Sequence, residues 1–406
     1  MRIFLPILIC VVFLFSGCGL KQPQYSATLN NLTQANNSTT NSDQLNNSTT
    51  TNNPTPTIQQ KQITNKDQRD TQVQPKTNVS FQNIFEGQID APLWLFAVTD
   101  DEGQVVLSAE KDQEIIMAKF DPNNPKAKLN WKTIVSKNEV GGIADHWHVF
   151  AHGYNYLVFS QPNANSAYAV KVDKNLKRVA MNHIVNNYEV PKDERPPFGG
   201  EYLITNDMFL VPELNGVTAA FFLPTIGHKL FRMDKDLNVY ETKNIGGGSL
   251  VHGNGSSAIM TKNGFDVLAS DTIMFLQQSG VRLLQYDKNW NFVLARELVD
   301  FNNQSIGMVS GVYLGDGSLV MHSRTNINAY GRGEMPPPPT PGVLADDGGN
   351  IARYVFDPDG KLISTEYLYE GTKAHRPHTA LLNDLLITTW DSSDGGTTLR
   401  IDKVKY

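Results

Sequence analysis

One short pattern recurs six times between residues 118 and 403: a run of β-branched or aromatic residues, an aspartate, one or two turn residues, and another run typical of a β-strand. The copies are Ala118-Lys119-Phe120-Asp121-Pro122, Val170-Lys171-Val172-Asp173-Lys174, Phe231-Arg232-Met233-Asp234-Lys235, Leu284-Gln285-Tyr286-Asp287-Lys288, Tyr354-Val355-Phe356-Asp357-Pro358 and Leu399-Arg400-Ile401-Asp402-Lys403. The aspartates recur at intervals of 45 to 70 residues, which suits a four-stranded sheet. The repeat therefore predicts one small antiparallel sheet for each copy.

A second apolar run precedes every copy and is expected to form the strand before it. These runs are Val105-Val106-Leu107, Tyr156-Leu157-Val158-Phe159, Met208-Phe209-Leu210-Val211, Phe265-Asp266-Val267-Leu268, Ser318-Leu319-Val320-Met321 and Leu385-Leu386-Ile387-Thr388. We predict an all-β fold, a six-bladed β-propeller over residues 81–406, in which each aspartate accepts hydrogen bonds from the backbone that follows it, between the third and fourth strands. A β-sandwich with irregular loops is the alternative, but it explains neither the six copies nor the shortened last one.

The two ends of this region are predicted to complete one another. The last copy stops at Val404-Lys405-Tyr406, before a full fourth strand can form. Residues near Val79 to Phe85 precede the first complete blade, and we expect them to pair with the carboxyl-terminal strands. Such an amino-terminal strand would close the ring and remove the exposed strand edges.

The amino terminus has the layout of a signal peptide, with Arg2, an apolar run to Phe15, and then small Ser16 and Gly17. The run is interrupted by Pro6 and is about five residues too short to cross a bilayer as a helix. A permanent transmembrane anchor is therefore not expected.

Ser16 and Gly17 directly before Cys18 resemble the bacterial lipobox, although Phe15 stands where that motif usually has leucine. The resemblance implies that residues 1–17 are removed and that Cys18 carries a lipid that anchors the exported chain to a membrane. An aspartate after the cysteine would mark retention at the inner membrane in many Gram-negative bacteria. Gly19 stands there instead, which implies the outer membrane or the outer face of the cell membrane. A plain secretory signal is the alternative.

Composition limits what the mature chain can do. The sequence has two cysteines, and Cys10 lies in the predicted signal peptide, so no disulfide can form within the mature chain. The formal net charge is −6 and no basic run is present, which disfavours binding to nucleic acid. After the lipidated Cys18, asparagine, threonine, glutamine and serine dominate to residue 80. We predict that residues 18–80 are a disordered linker with a reach of about 40 to 45 Å.

In a propeller, the connections between blades and those between the second and third strands emerge on one face, around the central channel. Histidine, arginine, glutamate and tryptophan fall in these connections here. Our candidate binding or catalytic residues are His146, His148, Arg195, Glu201, His252, Arg324, His375, Arg376, His378 and Trp390. Convergent groups of these types can bind a divalent metal or hold an anionic or sugar ligand. The alternative for each histidine is a hydrogen bond to the backbone of a neighbouring blade.

The longest insertion runs from about Thr325 to Asn350, between the second and third strands of the fifth predicted blade. It contains Pro336 to Pro339 in succession and then Pro341, which favours a stiff extended segment. We expect either a disordered excursion or a lid over the channel mouth that presents Tyr330, Arg332, Glu334 and Met335.

The segment Ser392-Ser393-Asp394-Gly395-Gly396-Thr397-Thr398-Leu399 resembles the Asp-box of sialidases and related six-bladed propellers, with Leu399 in place of the usual aromatic residue. The motif occurs once. Sialidases bind a substrate carboxylate through three arginines and use a Tyr-Glu nucleophile pair. Arg195, Arg324, Arg376 and Glu201 lie on the appropriate face of the predicted propeller, but the amino-terminal arginine motif of that family is absent.

The sequence contains no Ser-His-Asp elbow, phosphate-binding glycine loop or dinucleotide fingerprint, so no nucleotide cofactor is expected. Two functions stay open. The first is a lipid-anchored propeller that presents a rigid face to an envelope or extracellular ligand, either a glycan or a protein. The second is a hydrolase or transferase that acts on glycans or other anionic substrates, with or without a divalent metal. The fold alone does not choose between them.

Overall fold

The computed structural model describes residues 79–89, 93–162, 165–192, 203–223, 227–246, 252–253, 255–273, 278–302, 306–325, 348–392 and 396–406. Within these residues the secondary structure is almost entirely β-strand, and the predicted all-β class is confirmed. The described helix, α1 (Lys137–Val140), is a single turn that is capped by the side chain of Ser136. The predicted signal peptide and nearly all of the predicted linker lie outside the described residues.

The described residues contain 24 strands. They are β1 (Ser80–Ile89), β2 (Leu93–Thr99), β3 (Val105–Lys111), β4 (Glu114–Phe120), β5 (Lys132–Val135), β6 (Asp145–Ala151), β7 (Tyr154–Ser160), β8 (Ser166–Val172), β9 (Arg178–Asn186), β10 (Ile204–Glu213), β11 (Gly216–Leu223), β12 (Gly227–Asp234), β13 (Val239–Ile245), β14 (His252–Gly253), β15 (Ser257–Met260), β16 (Gly264–Ile273), β17 (Gln278–Asp287), β18 (Phe292–Asn302), β19 (Ile306–Tyr313), β20 (Leu319–Thr325), β21 (Gly349–Phe356), β22 (Leu362–Leu382), β23 (Leu385–Ser392) and β24 (Thr397–Lys405).

These strands form five antiparallel sheets in the described part of the chain. Three of the sheets have four strands each in chain order: β2 to β5, β6 to β9, and β10 to β13. In the fourth sheet, the short strands β14 and β15 both pair with β16, which is followed by β17 and β18. The fifth sheet has seven strands in the order β1-β24-β23-β22-β21-β20-β19.

The seven-stranded sheet contains two stretches of four strands that share β22. This strand has 21 residues; it pairs with β21 from Leu362 to Ala374 and with β23 from Ala374 to Leu382. The predicted fifth and sixth blades are therefore joined through one continuous strand. Backbone pairing does not break between them because Ala374 pairs with Gly349 on one side and with Ser392 on the other.

The amino-terminal strand β1 pairs with the carboxyl-terminal strand β24 along its whole length, from Ser80 opposite Lys405 to Ile89 opposite Thr397. The pairing predicted for the residues near Val79 to Phe85 is present and extends four residues further. Because β1 covers the outer side of β24, the backbone groups of β24 are not left at a sheet edge.

The repeated aspartates act as predicted in five of the six copies. Oδ1 accepts a hydrogen bond from the backbone N–H two residues further on, at 2.8 to 3.0 Å, in Asp121, Asp173, Asp234, Asp287 and Asp357. The prediction for Asp402 is wrong, because β24 continues past it to pair with β1. The run 208–211 also lies one strand earlier than predicted, in β10, because β11 supplies the second strand of that sheet.

The hydrophobic core lies between consecutive sheets. Four core clusters each join residues of two consecutive sheets, as in the pairs Met117 and Leu157, Val158 and Phe221, Phe209 and Leu284, and Leu283 and Met321. A further cluster joins Leu107 of β3 to Ile387 of β23, so the first four-stranded sheet also packs against the last strands of the chain. Burial of each large apolar side chain stabilises the fold by about 1.5 to 3 kcal/mol.

Candidate functional site

A group of charged and aromatic side chains lies at one end of β2, β6 and β22. Trp94 is near the start of β2 and Asp145 begins β6, while Arg376 lies just after β22 changes its partner. Glu110 is opposite Leu93 in the neighbouring strand β3, and Asp391 is opposite His375 in β23. Strand pairing therefore brings all five residues to the same end, which we call the polar mouth.

Arg376 is the centre of the polar mouth. Its Nη1 donates a hydrogen bond to Oδ2 of Asp145, and its guanidinium lies 4.6 Å from the centroid of the Trp94 ring. The side chain of Arg376 is 21% exposed, whereas that of Asp145 is 6% exposed. Burial raises the pKa of Asp145, and the charge of Arg376 opposes that shift. The arginine is thus held between a buried carboxylate and an aromatic face, and about a fifth of its side chain stays exposed.

Asp391 is fully buried beside this pair. Its Oδ2 accepts a hydrogen bond from the backbone N–H of Trp94 at 2.9 Å, and its Oδ1 accepts one from the hydroxyl of Thr397 at 3.1 Å. Burial raises the pKa of Asp391 to about 7, although the hydrogen bonds and Arg376 act in the other direction. The carboxyl group therefore changes its charge near neutral pH.

Glu110 is the third buried carboxyl group of the polar mouth with a raised pKa. Its Oε1 accepts the backbone N–H of Gln113 at 2.8 Å, and its Oε2 has no hydrogen-bond partner among the described residues. Burial raises the pKa of Glu110 to about 7, and the nearby charges of Asp145 and Asp391 add to the effect. An unpaired carboxyl oxygen in a buried position is an available acceptor, or a donor when protonated.

The backbone is strained where two of these side chains meet. Trp94 has φ of +49° and Arg376 has φ of +35°, both in the left-handed region that non-glycine residues rarely adopt. Each lies where the strand register shifts, between Leu93 and Phe96 and between His375 and His378. Such conformations cost about 1 to 3 kcal/mol each and persist only where surrounding contacts enforce them.

Two of the predicted histidines, His146 and His378, lie deeper between the same strands. The ring of Phe96 is 3.6 Å from that of His378, 4.8 Å from that of His146 and 5.1 Å from that of Trp147, measured between centroids. We call these four side chains the aromatic layer. His146 Nε2 is 3.0 Å from the hydroxyl of Ser108. Burial lowers the pKa of His146 to about 3 and that of His378 well below its ordinary value, so both are neutral at pH 7.

The remaining described candidates lie next to the polar mouth or in the core. Arg324 Nη1 donates to Nδ1 of His375 at 3.0 Å, and both side chains are buried. Trp390 packs in a small core cluster with Ile351 and Ala374, which gives it a structural role. His148 is buried one residue beyond Trp147, with its Nε2 3.0 Å from Oδ1 of Asn155.

Several predicted features lie outside the described residues. They are Cys18, Arg195 and Glu201, most of the insertion with its prolines (326–347), and 393–395 of the segment that resembles an Asp-box. His252 is described by its backbone alone, in β14 opposite Thr272. The structure therefore brings together His146, His378, Arg376 and, beside them, Arg324 and His375.

Sequence reasoning missed Trp94 and Glu110. Glu110 lies at the end of the second strand of its sheet, the same position as Asp391, so the rule that selected Trp390 and its neighbours applies to it as well. Trp94 carried no comparable signal, because its orientation depends on a register shift that the sequence does not reveal.

Among the described side chains, no three histidine, cysteine, aspartate or glutamate residues are arranged to hold a metal ion. Within the same part of the chain, no helix has the length and hydrophobicity needed to cross a membrane. Comparison with protein-family models and with curated proteins finds no match.

Several solved structures are similar to this chain in overall arrangement. A member of the DUF4221 family from Bacteroides vulgatus is 11% identical, with a TM-score of 0.43 and coverage of 80% of this chain and 98% of the other. A thermostable family-43 glycoside hydrolase is 11% identical, with a TM-score of 0.42 and coverage of 65% and 90%. A subtype N10 neuraminidase-like protein from a little yellow-shouldered bat isolate is 9% identical, with a TM-score of 0.45 and coverage of 80% and 99%. With sequence identities of 9 to 11% and TM-scores below 0.5, these similarities assign neither a family nor an activity to this chain.

Proposed function

We propose that this protein is an exported lipoprotein whose six-bladed β-propeller binds a neutral glycan at the polar mouth. The main support for the proposal is the position of Arg376. Asp145 and Trp94 orient its guanidinium in a site that contains one guanidinium and three carboxyl groups, those of Asp145, Glu110 and Asp391. Glycan hydroxyls are both donors and acceptors, so a site with one guanidinium and several carboxyl groups complements them.

The contacts between the first strands of successive sheets support the propeller. In chain order, β2 contacts β6, β6 contacts β10, β10 contacts β15, and β15 contacts β19. The part of β22 that pairs with β23 (residues 374–382) contacts both β19 and β2, which returns the series to its start. In this proposal the two halves of the seven-stranded sheet are the fifth and sixth blades, and β1 completes the sixth.

The balance of charge favours a neutral ligand over an anionic one. Besides Asp145, the carboxylates of Asp391 and Asp207 act on Arg376. Asp112 and Asp145 likewise act on Glu110. Above pH 7, where Glu110 and Asp391 are ionised, a sulfate, phosphate or sugar carboxylate would meet more negative than positive charge among these residues, whereas a hydroxyl group would donate a hydrogen bond to a carboxyl oxygen.

Calorimetric titration with neutral oligosaccharides, and with the same oligosaccharides carrying a sialic or uronic acid, tests the proposal. Arg376→Lys keeps the charge but loses the planar fork and the stacking on Trp94, and we expect it to weaken binding of a neutral oligosaccharide about tenfold or more. Arg178→Lys is the matched control. Arg178 lies on the outer strand β9 and pairs with Glu139 of α1, away from the polar mouth. Tighter binding of the acidic oligosaccharides would contradict the proposal.

Hydrolysis of the bound glycan is the second candidate, and the two buried carboxyl groups favour it. Burial raises the pKa of Glu110 and that of Asp391 to about 7, so near neutral pH one can act as an acid while the other is ionised. Release of reducing ends that disappears in both Glu110→Gln and Asp391→Asn supports hydrolysis. Binding without release of reducing ends supports a binding protein.

Lipid anchoring at Cys18 is a separate part of the proposal. The small residues before Cys18 and the long polar linker after it support anchoring at the outer membrane or the outer face of the cell membrane. We expect the native chain to label with palmitate and to sediment with membranes, and Cys18→Ser to lose both properties. A native chain that stays in the soluble fraction would contradict this assignment.

A further inference from the structure

The strand β1 runs along β24 from the end farthest from the polar mouth to the polar mouth itself. Ser80 lies opposite Lys405 at the far end, which we call the tail end. Ile89 lies opposite Thr397, whose hydroxyl donates to Oδ1 of Asp391 in the polar mouth. At about 3.3 Å per residue, the ten residues of β1 span about 33 Å. Residue 79, which leads into β1, therefore lies at the tail end.

Contacts hold β1 along its whole length. Nine residues of β1 pair with residues of β24. The guanidinium carbon of Arg353 lies 4.2 Å from the centroid of the Phe81 ring, and Glu86 pairs with Arg400 at 3.0 Å. Phe85 packs against the core cluster that joins the first sheet to the last strands. The attachment of β1 is thus distributed over the strand rather than concentrated at one end.

A bulge fixes the register of β1 against β24. The pairing shifts between Asn83 and Phe85, which makes Ile84 the extra residue of the bulge. A slip of one residue would turn Phe85 away from the core, because successive side chains point to opposite faces of a sheet. β1 therefore cannot move along β24 in small steps, and a pull along the strand has to break many pairs together.

The direction of a load decides how strongly two antiparallel strands resist separation. When they are pulled along their axes from opposite ends, every hydrogen bond between them carries part of the load. When two ends that lie side by side are pulled apart, the load falls on one pair at a time. Forced separation is governed by the rate of unfolding, so the first direction withstands a larger force.

We propose that β1 is a load-bearing clamp between the chain that precedes residue 79 and a ligand held at the polar mouth. A pull between these two points acts along β1, in the direction that all nine pairs resist together. The direction of the load rests on the lipid anchoring and the ligand site proposed above, whereas the resistance of the paired strands rests on neither. Such a clamp suits a glycan that belongs to a large object, such as another surface or a long polymer.

Single-molecule force spectroscopy on the full chain tests the proposal. Cys10 and Cys18 are replaced by serine, so that the introduced cysteines are the only thiols to which handles attach. One handle is attached at Asn78→Cys, directly before the described residues. The second handle is attached to β24, either at Thr398→Cys near the polar mouth or at Lys405→Cys at the tail end.

The two chains differ in the direction of the load on the same pair of strands. At one loading rate, we expect the first rupture with the handle at residue 398 to need at least about twice the force found with the handle at residue 405. Equal forces would overturn the proposal. The measurement contains neither lipid nor glycan, so its failure is distinguishable from a failure of the anchoring or of the glycan binding.

Variants show whether β1 is the strand that yields. Phe85→Ala removes a partly buried ring from the core cluster and should lower the rupture force along the strands. Ile84→Ala in the same strand is the matched control and should leave that force unchanged, because the side chain of Ile84 is 48% exposed. Ile89→Ala removes a smaller side chain from the same cluster and gives a second measurement if Phe85→Ala does not fold. An along-strand force that neither of these two substitutions lowers would overturn the proposal, since another strand would then yield first.

Discussion

Arg376 of β22 donates a hydrogen bond to the carboxylate of Asp145 at the start of β6, and the two residues are 231 positions apart in the sequence. The guanidinium is held on its other side by the ring of Trp94. Asp145 is 4% exposed, so its charge has little contact with water and depends on Arg376. The pair joins two strands from different sheets and also orients the cation of the polar mouth.

Removing one member of this pair is expected to lower the free energy of unfolding more than removing both charges does. Arg376→Met leaves the buried carboxylate of Asp145 unpaired and should lower the free energy of unfolding by about 3 to 5 kcal/mol. Adding Asp145→Asn removes the unpaired charge and should restore at least half of that loss. Urea denaturation of the two single variants and the double variant measures the coupling. Strictly additive losses would show that the two side chains do not depend on each other.

The stability contributed by Glu110 is expected to fall as the pH rises. Burial raises the pKa of Glu110 from 4.5 to about 7. Between these values the folded state keeps a proton that the unfolded state has lost, so the contribution is complete below pH 4.5 and disappears as the pH passes 7. Relative to the native chain, Glu110→Gln should therefore be about 3 kcal/mol more stable at pH 8 than at pH 5.

Urea denaturation of both proteins at the two pH values checks this difference, and the comparison cancels the titration of groups that the two proteins share. Glu370→Gln, on an exposed part of β22, is the control and should keep the same difference from the native chain at both pH values. A pH-independent difference for Glu110→Gln would show that its carboxyl group is ionised throughout.

Asp402 and Asp357 occupy the same position of the repeat but should respond differently to substitution. Asp357 accepts backbone N–H groups of Asp359 and Lys361 in an exposed turn, so Asp357→Ala should cost about 1 kcal/mol. Asp402 accepts from the guanidinium of Arg353, which is 1% exposed, so Asp402→Ala should cost about 3 to 5 kcal/mol. Thermal and urea denaturation compare the two variants. Equal losses would mean that Arg353 finds another partner.

Glu213 is expected to stabilise the third and fourth sheets together. It accepts two hydrogen bonds from Arg232, at 3.0 and 2.6 Å, and one from Nε1 of the buried Trp290 at 2.8 Å. Glu213→Ala leaves these donors unpaired and should lower the free energy of unfolding by about 3 kcal/mol or more. Glu241 also pairs with Arg232 but is 42% exposed, and Glu241→Ala should cost less than about 1 kcal/mol. A similar effect of both substitutions would contradict the assigned role of Trp290.

Local patterns explain which features of the fold could be predicted. The aspartates at the ends of β4, β8, β12, β17 and β21, or directly after them, act through backbone groups only two to four residues away, so the local sequence is enough to assign them. Asp402 has the same local sequence pattern, but its partners come from β21 and from β24 itself. The difference arises because β24 continues past Asp402 to pair with β1, so that the chain does not turn at this aspartate.

The sequence by itself determined the β-strand class, the repeated modules and the turn aspartates, because these depend on local hydrogen bonds and on the alternation of apolar and polar residues. The pairing of the chain ends was predicted from the shortened last copy of the repeat. Only the tertiary structure decided that Arg376 faces Asp145 and Trp94 and that Glu110 and Asp391 are buried beside them. The physical reason is that burial and pairing of charges depend on strands that lie far apart in the chain, and on register shifts that turn individual side chains inward.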